Sequence, residues 1–380
     1  MNRLTLGVMG RSRKENERRL PLHPAHLRGR QDALRRHVFL EHGYGREFGL
    51  SDDQLSGSVA GLLSHEELLD ECDIILQPKP LHDDIAELRA GQAFLGWSHC
   101  VQDEELTQIA IDKGLTVIAF EAMNHWLPDG SLNVHVFHKN NELAGYCSVL
   151  HALQLAGTTG RYGRRLRAVV VGFGATARGA VTALNALGVP EIEVLTRRHV
   201  EAVAAPIHAA RLVHLDVDEA GRAEAATDDG GVPLALFLAG HDVIVNCTRQ
   251  DTDSPLMLLT ENDLPSLTPG TLIVDVSCDE GMGFAWARPT TFIEPTFTVG
   301  DNVLYYAVDH SPSYLWDSAT WEISAALLPL LPSILDGPDS WQAAPTIGRA
   351  IEIREGVIQN PAILSFQDRD PNPPHTHLAT

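Results

Sequence analysis

The sequence has few cysteines and fewer basic than acidic residues, and each shortage argues against a class of protein. Its 380 residues include five cysteines with no C-x-x-C spacing, so a disulfide framework is not indicated and we expect reduced thiols in a cytoplasmic enzyme. The 50 acidic and 29 basic residues give a formal net charge of −21. Because like charges repel, this balance argues against nucleic acid or an anionic membrane as a general partner.

Long apolar runs are absent as well. No window approaches eighteen uninterrupted apolar residues, and the N-terminus lacks the apolar core of a signal peptide. We therefore expect neither a membrane span nor export by a standard signal. The histidines show no helical H-E-x-x-H spacing, and the sequence predicts no metal site.

The most informative segment that is present runs from Arg167 to Ala180. An apolar, β-branched strand is followed at once by a glycine turn and the start of a helix. This order is typical of a dinucleotide-binding turn, in which glycines let backbone amides approach a pyrophosphate at the positive end of the helix. The residues expected to contact the dinucleotide at this turn are Gly172, Gly174, Ala175 and Thr176.

The end of the next strand indicates which dinucleotide is bound. An acidic residue there would bind both ribose hydroxyls, but the strand over 191–195 is followed by Thr196, Arg197 and Arg198. Two guanidinium groups beside a hydroxyl favour NADPH over NADH, because they complement a 2′-phosphate. The alternative is that the arginines are a solvated loop pair. Cys247 and Thr248, which follow a later strand, complete the predicted cofactor site.

The length of the chain exceeds what one hydrophobic core usually supports, so two domains are expected. Short apolar strands alternate with helical stretches, which predicts an α/β fold. We expect two Rossmann-like, doubly wound parallel-sheet domains with an active-site cleft between them. Residues 1–140 with 311–367 would form the substrate domain and 141–310 the NADP-binding domain. The polar, proline-rich residues 368–380 predict a disordered tail.

Candidate catalytic residues lie where predicted strands end, because open α/β sheets bind ligands at the carboxyl ends of their strands. Lys79, His99 and Asp279 each follow a strand, and Arg19 lies shortly after the first one. Each has an ordinary alternative: a hydrogen-bonded structural histidine, a solvated lysine, or Arg18 in place of Arg19. Trp97 is a candidate for the amine side of the site, although such aromatics are as often packing residues.

Several motifs along nearly the whole chain belong together: the glycine turn and residues 17–24, 77–79, 91–99, 142–145, 275–281, 288–291 and 308–312. As a set they resemble the alanine dehydrogenase and pyridine nucleotide transhydrogenase family. Within it, residues 96–99, 140–146 and 311–315 are most similar to the N5-(carboxyethyl)ornithine synthases, which use NADPH to condense pyruvate reductively with an amino-acid side-chain amine.

The resemblance implies an oxidoreductase acting on CH–NH or CH–NH2 groups, which reduces the imine formed between a small 2-oxo acid and an amino-acid amine. Arg19 and Lys79 would hold the keto acid, and His99 would act as acid and base. Asp279 would position the reacting nitrogen or the nicotinamide ribose.

Other functions stay open. An alanine dehydrogenase shares these catalytic residues but usually carries an acidic residue where Thr196 stands, and saccharopine dehydrogenase is a further relative. The non-enzyme alternative is a regulator that binds NADPH without turnover. The expected partners are small molecules, and relatives of this architecture suggest a homo-oligomer, either a dimer or a hexamer.

Overall fold

A computed structural model describes residues 3–28, 35–197, 210–217, 222–250 and 255–378. Arg198 of the predicted cofactor site lies outside these ranges. The chain divides into two compact units, one formed by the residues up to His138 together with those from Trp316 onward, the other by Lys139–Leu315. The sequence predicts the corresponding boundaries at 140/141 and 310/311.

The strands in the described residues are two to seven residues long. In chain order they are β1 (Leu6–Val8), β2 (Val38–Glu41), β3 (Gly61–Leu63), β4 (Ile74–Leu76), β5 (Ala93–Gly96), β6 (Thr116–Ala119), β7 (Asn124–Trp126), β8 (Leu132–His135), β9 (Arg167–Val171), β10 (Glu191–Thr196), β11 (Arg211–Val217), β12 (Ala223–Thr227), β13 (Gly230–Pro233), β14 (Val243–Asn246), β15 (Leu272–Asp275), β16 (Thr296–Val299), β17 (Val303–Tyr306), β18 (Ile351–Arg354) and β19 (Val357–Ile358).

Most of the α-helices lie between successive strands. They are Pro24–Leu27, Asp52–Ser56, His65–Glu71, His82–Ala86, Glu104–Asp112, His138–Leu155, Ala175–Ala186, Leu234–Ala239, Trp316–Leu327, Leu331–Leu335, Pro338–Ala343, Pro345–Gly348 and Pro361–Phe366.

The first unit is built on a sheet with the strand order β19-β18-β6-β5-β4-β1-β2-β3. From β6 to β3 all neighbouring strands are parallel, and β18 is antiparallel to β6. The three central strands β1, β4 and β5 are fully buried. Burial on both faces explains their continuous apolar sequences, since an alternating pattern would place polar groups in one of the two cores. The β7–β8 hairpin forms a separate small sheet.

The second unit is built on a sheet with the order β13-β12-β11-β10-β9-β14-β15-β17-β16. Its central strands from β11 to β17 are parallel, while β12, β13 and β16 add antiparallel edges that the sequence analysis did not anticipate. Two apolar clusters cover the two faces of the sheet. The two parallel-dominated sheets confirm the predicted α/β fold class with two Rossmann-like domains, and the cleft between them stays a prediction.

The sequence predicts a disordered tail over residues 368–380, but in the part up to residue 378 two side chains are buried and hydrogen-bonded. Arg369 is 2% exposed, and its guanidinium donates hydrogen bonds to Gln367 and Gln108, each at 2.7 Å. His375 is fully buried, and its Nε2 accepts the backbone N–H of Ile358 at 3.1 Å. A low content of apolar residues predicts disorder because little apolar surface can be buried. This segment is instead held by hydrogen bonds between buried polar groups.

Candidate active site

The dinucleotide turn lies where the strand order of the second sheet reverses. From β9 the chain continues to β10 and β11 on one side, and it returns to β14 and β15 on the other. The C-terminal ends of β9 and β14 are therefore a topological switch point, where neighbouring loops diverge and leave room for a ligand.

Glycine is required at Gly172 by its surroundings. Its φ is +111°, and a Cβ there would lie 2.7 Å from the carbonyl oxygen of Cys247. Gly174, by contrast, is the N-cap of the helix Ala175–Ala186, and a Cβ built on it meets no heavy atom within 4 Å. The space beside Gly174 is open to a ligand, and the first amides of the helix offer donors to an anion. The fit of this turn to a dinucleotide pyrophosphate rests on these two observations.

The other predicted cofactor residues lie at the same edge of the sheet. Thr196 is the buried last residue of β10, and Arg197 after it is exposed. Thr248 follows β14, and its backbone N–H and its hydroxyl both donate to Oδ1 of Asn246, at 3.1 and 2.6 Å. Burial raises the pKa of the Cys247 thiol, which makes it a poor nucleophile and an inert neighbour of the turn.

A buried polar network below this edge was missed by the sequence analysis. Asp275 accepts hydrogen bonds from the Tyr305 hydroxyl at 2.5 Å, from Nδ2 of Asn246 at 2.9 Å and from the backbone N–H of Cys278 at 3.2 Å. Burial is the main cause that raises the pKa of Asp275 to about 6. The network ties the end of β14 to the loop after β15. A carboxylate at the end of an otherwise apolar strand was the available signal.

Asp279 lies on the loop that this network holds. Burial raises the pKa of its carboxyl group, so the group keeps its proton to higher pH than an exposed aspartate. The loop thereby brings Asp279 to the same edge of the sheet as Thr248.

In the first unit the strand order reverses between β1 and β4. Lys79 follows β4, and its carbonyl oxygen accepts a hydrogen bond from the hydroxyl of Ser12, which follows β1, at 3.2 Å. The predicted lysine therefore lies at the switch point of its sheet.

Arg19 and Trp97 lie together in the structure. The Arg19 guanidinium carbon is 5.1 Å from the centroid of the Trp97 ring, and its Nε donates to Oε1 of Glu17 at 2.9 Å. All three side chains are buried. Arg18, the alternative, points elsewhere: it pairs with Glu47 at 2.6 Å and lies over Trp316. Only Arg19 of the two is held beside Trp97, by a Glu17 that the sequence analysis did not assign to the site.

Trp97 also packs edge-on against Phe120, with ring centroids 5.0 Å apart. Its ring is therefore part of the core and at the same time the surface on which Arg19 lies. Such stacking stabilises a guanidinium by cation–π attraction.

His99 follows β5 in an uncommon backbone conformation, with φ +50°. Its backbone N–H donates to Oε1 of Glu121 at 2.5 Å, and Glu121 follows the neighbouring strand β6. Glu121 was not among the residues predicted from the sequence. Burial, aided by the nearby Glu352, raises its pKa to about 7, against the opposing charge of Lys79. Glu121 is thus hydrogen-bonded to the backbone of one predicted catalytic residue, His99, and its carboxyl group is influenced by the charge of another, Lys79.

The raised pKa of Glu121 predicts a pH-dependent stability. Its usual pKa is 4.5 and its folded value about 7, so between these values the folded chain retains a proton that the unfolded chain has lost. The stabilisation is complete below pH 4.5 and disappears as the pH rises through 7. Between pH 5 and 7.5 the unsubstituted protein is expected to lose about 2 kcal/mol more of its unfolding free energy than Glu121→Gln, which has no carboxyl group to titrate. Urea denaturation at the two pH values measures the unfolding free energies. If the two proteins lost the same free energy between these pH values, the raised pKa of Glu121 would be wrong.

No group of three or more histidine, cysteine or acidic side chains in the described residues is arranged to hold a metal ion. Among the helices of the described ranges, none has the length and apolarity needed to cross a bilayer.

Two Rossmann-like units, one with a dinucleotide turn at its switch point, define a class: oxidoreductases with a nicotinamide cofactor. The family itself follows from two domain models. The alanine dehydrogenase/PNT N-terminal domain matches residues 8–140, and the C-terminal domain of the same family matches residues 154–361. The chain belongs to the alanine dehydrogenase/PNT family, as its motifs predict.

Two kinds of enzyme are among its relatives. Alanine dehydrogenase from Halomonas elongata is 28% identical over 347 residues, covering 87% of each chain. N(5)-(carboxyethyl)ornithine synthase from Clostridium botulinum is 24% identical over 326 residues, covering 82% of this chain and 89% of the relative.

Solved structures agree on the fold. An L-alanine dehydrogenase superposes with a TM-score of 0.71 at 20% identity, covering 96% of this chain and 99% of that one. A transhydrogenase from Sinorhizobium meliloti gives 0.67 at 19% identity, covering 94% and 99%. At these identities the likeness shows the fold alone.

Proposed function

We propose that the protein uses NADPH to reduce the imine formed between a small 2-oxo acid and the amine of an amino acid. The observation that carries the cofactor preference is the end of β10. There a buried threonine is followed by the exposed Arg197, so within the described residues the strand ends without the carboxylate that would repel a 2′-phosphate. Arg198 in the sequence adds a second positive charge.

The pyrophosphate would lie against the open side of Gly174, near the amides of Ala175 and Thr176. Arg197 would pair with the 2′-phosphate through charge-assisted hydrogen bonds. The chemistry that a reduced nicotinamide would supply at this site, when bound, is hydride transfer to the imine carbon. Asp279 would position the reacting nitrogen or the nicotinamide ribose.

The residues of the first unit would prepare the imine. The Arg19 guanidinium, oriented by Glu17 and Trp97, would hold the carboxylate of the 2-oxo acid, and the Lys79 ammonium would hold its carbonyl oxygen. When the amine adds to the carbonyl carbon, the oxygen must leave as water, which requires two protons to arrive at oxygen and two to leave nitrogen before the neutral imine is formed. The His99 imidazole suits both transfers, because histidine titrates near neutral pH.

Reductive amination of pyruvate with ammonia is the second candidate. It is favoured by the higher identity to alanine dehydrogenase than to the ornithine synthase, 28% against 24%. The two candidates differ in the amine that adds to the keto acid and in the expected dinucleotide.

A matrix of oxidation rates separates them. NADPH or NADH is combined with pyruvate or another 2-oxo acid, and with ammonia, ornithine or lysine. We expect turnover with NADPH and an amino-acid amine, and a KM for NADPH that rises about tenfold or more in Arg197→Ala while that for NADH is unchanged, because a phosphate hydrogen bond to a charged group contributes about 1.5–3 kcal/mol.

Arg161→Ala is the matched control, since Arg161 is exposed in the same unit but precedes β9, at the opposite edge of the sheet. Turnover with ammonia and NADH alone would overturn both the proposed amine and the proposed cofactor.

A further inference from the structure

Glu121 and His99 are brought together by the register of two neighbouring strands. β5 and β6 are parallel, with Gly96 opposite Ala119 at their C-terminal ends. His99 follows three residues after Gly96, and Glu121 follows two residues after Ala119, within the single turn Phe120–Ala122. The two segments therefore leave the sheet side by side.

The carboxylate of Glu121 is directed at the backbone of the His99 turn. Oε1 accepts the His99 N–H at 2.5 Å and lies 3.4 Å from the Ser98 hydroxyl. Oε2 is shielded from solvent and, within the described residues, has no hydrogen-bond partner. A buried carboxylate oxygen without a partner is costly, so this position is not explained by stability alone.

His99 needs such support because its φ of +50° lies in the left-handed region. For a residue with a Cβ this region costs about 1–2 kcal/mol, and it persists only where the surroundings impose it. The carbonyl oxygen of His99 accepts the N–H groups of Gln102 and Asp103, both at 3.0 Å. Glu121 holds the other end of the same residue.

We propose that Glu121 is a positioning residue for His99: by accepting the His99 backbone N–H, it fixes the direction in which the imidazole projects. The inference rests on the proposed function, in which that imidazole transfers protons. What positions His99 is an acceptor oxygen on a side chain long enough to meet the His99 N–H. The negative charge of the carboxylate is not required.

Two substitutions distinguish the effect of side-chain length from the effect of charge. Glu121→Gln keeps an acceptor oxygen at the same distance and loses the charge, whereas Glu121→Asp keeps the charge and shortens the side chain by one methylene. We expect Glu121→Gln to retain kcat within about threefold and Glu121→Asp to lower kcat about 30-fold or more, each with the KM for the 2-oxo acid changed by less than about threefold. The opposite order would show that the charge acts, and would overturn the inference.

A double-mutant cycle tests whether Glu121 acts through His99. In a His99→Asn background, Glu121→Asp is expected to add less than a twofold loss of kcat, because the group that it positions is gone. Additive losses would assign Glu121 a separate role and would overturn the proposal.

The cycle also distinguishes this inference from the function on which it rests. If His99→Asn alone left turnover unchanged, the proposed function would fail at its acid–base residue. If His99→Asn abolished turnover while Glu121→Asp left kcat unchanged, the proposed function would stand and only the role of Glu121 would be wrong. Circular dichroism confirms that each variant is folded before its rates are compared.

Discussion

Replacement of His99 by asparagine is expected to lower 2-oxo-acid-dependent NADPH oxidation by about 10²–10⁴-fold, the usual contribution of a general acid–base group. Asparagine is the suitable replacement because it tolerates the left-handed backbone that His99 adopts, with φ +50°. The affinity for NADPH, measured by fluorescence titration, is expected to stay within about twofold of its original value, since His99 belongs to the other unit from the dinucleotide turn.

His125→Asn is the matched control, because His125 is exposed on β7 and takes no part in the proposed site. Unchanged turnover in His99→Asn would refute the catalytic assignment. A loss of turnover with intact NADPH binding would instead exclude the alternative of a regulator that binds NADPH without chemistry.

Replacement of Gly145 by alanine is expected to lower the free energy of unfolding by about 3 kcal/mol, near the upper end of the usual cost of overpacking. Gly145 lies in the helix His138–Leu155, and a Cβ there would be 1.9 Å from the carbonyl oxygen of Thr176. Across the same contact, a Cβ on Gly179 would be 1.7 Å from the carbonyl oxygen of Glu142. Two glycines thus let the helices approach closely, and neither backbone can move aside cheaply.

Whether Gly145→Ala stabilises or destabilises the protein shows whether the two helices are in close contact. In a helix without such a contact, glycine to alanine stabilises by about 1 kcal/mol through helix propensity. Gly174→Ala is the control, because it changes the N-cap of the second helix where a Cβ meets nothing within 4 Å. We expect it to lower the free energy of unfolding by no more than about 1 kcal/mol, because alanine is a poorer N-cap than glycine but meets no steric obstacle. Urea denaturation measures both variants, and a stabilised Gly145→Ala would show that the helices are not in close contact.

The features that the sequence predicted share a local origin. The dinucleotide turn could be located because strand, glycines and helix start follow one another between Arg167 and Ala180. Each residue type there suits the backbone conformation that its position requires. Lys79, His99 and Asp279 could be selected because strand ends in an α/β fold are recognisable one at a time. Their roles in the reaction stay predictions.

The contacts that could not be read from the sequence depend on how distant parts of the chain come together. Glu17 appeared in a motif, but its pairing with Arg19 over the face of Trp97 depends on where β5 ends. Position along the chain could not separate Arg18 from Arg19 either, since both lie in the same local sequence, and only the family resemblance favoured Arg19. The network of Asp275, Asn246 and Tyr305 joins three strands whose order is set only by the sheet.

The sequence by itself determined the class of fold, the place of the dinucleotide turn and the family, because continuous apolar strands, glycine turns and helix starts are written in adjacent residues. The tertiary structure alone decided which charged groups meet. Glu121 contacts His99 because the register of β5 against β6 places the two strand ends together. Register is a property of paired strands, and no single stretch of sequence carries it.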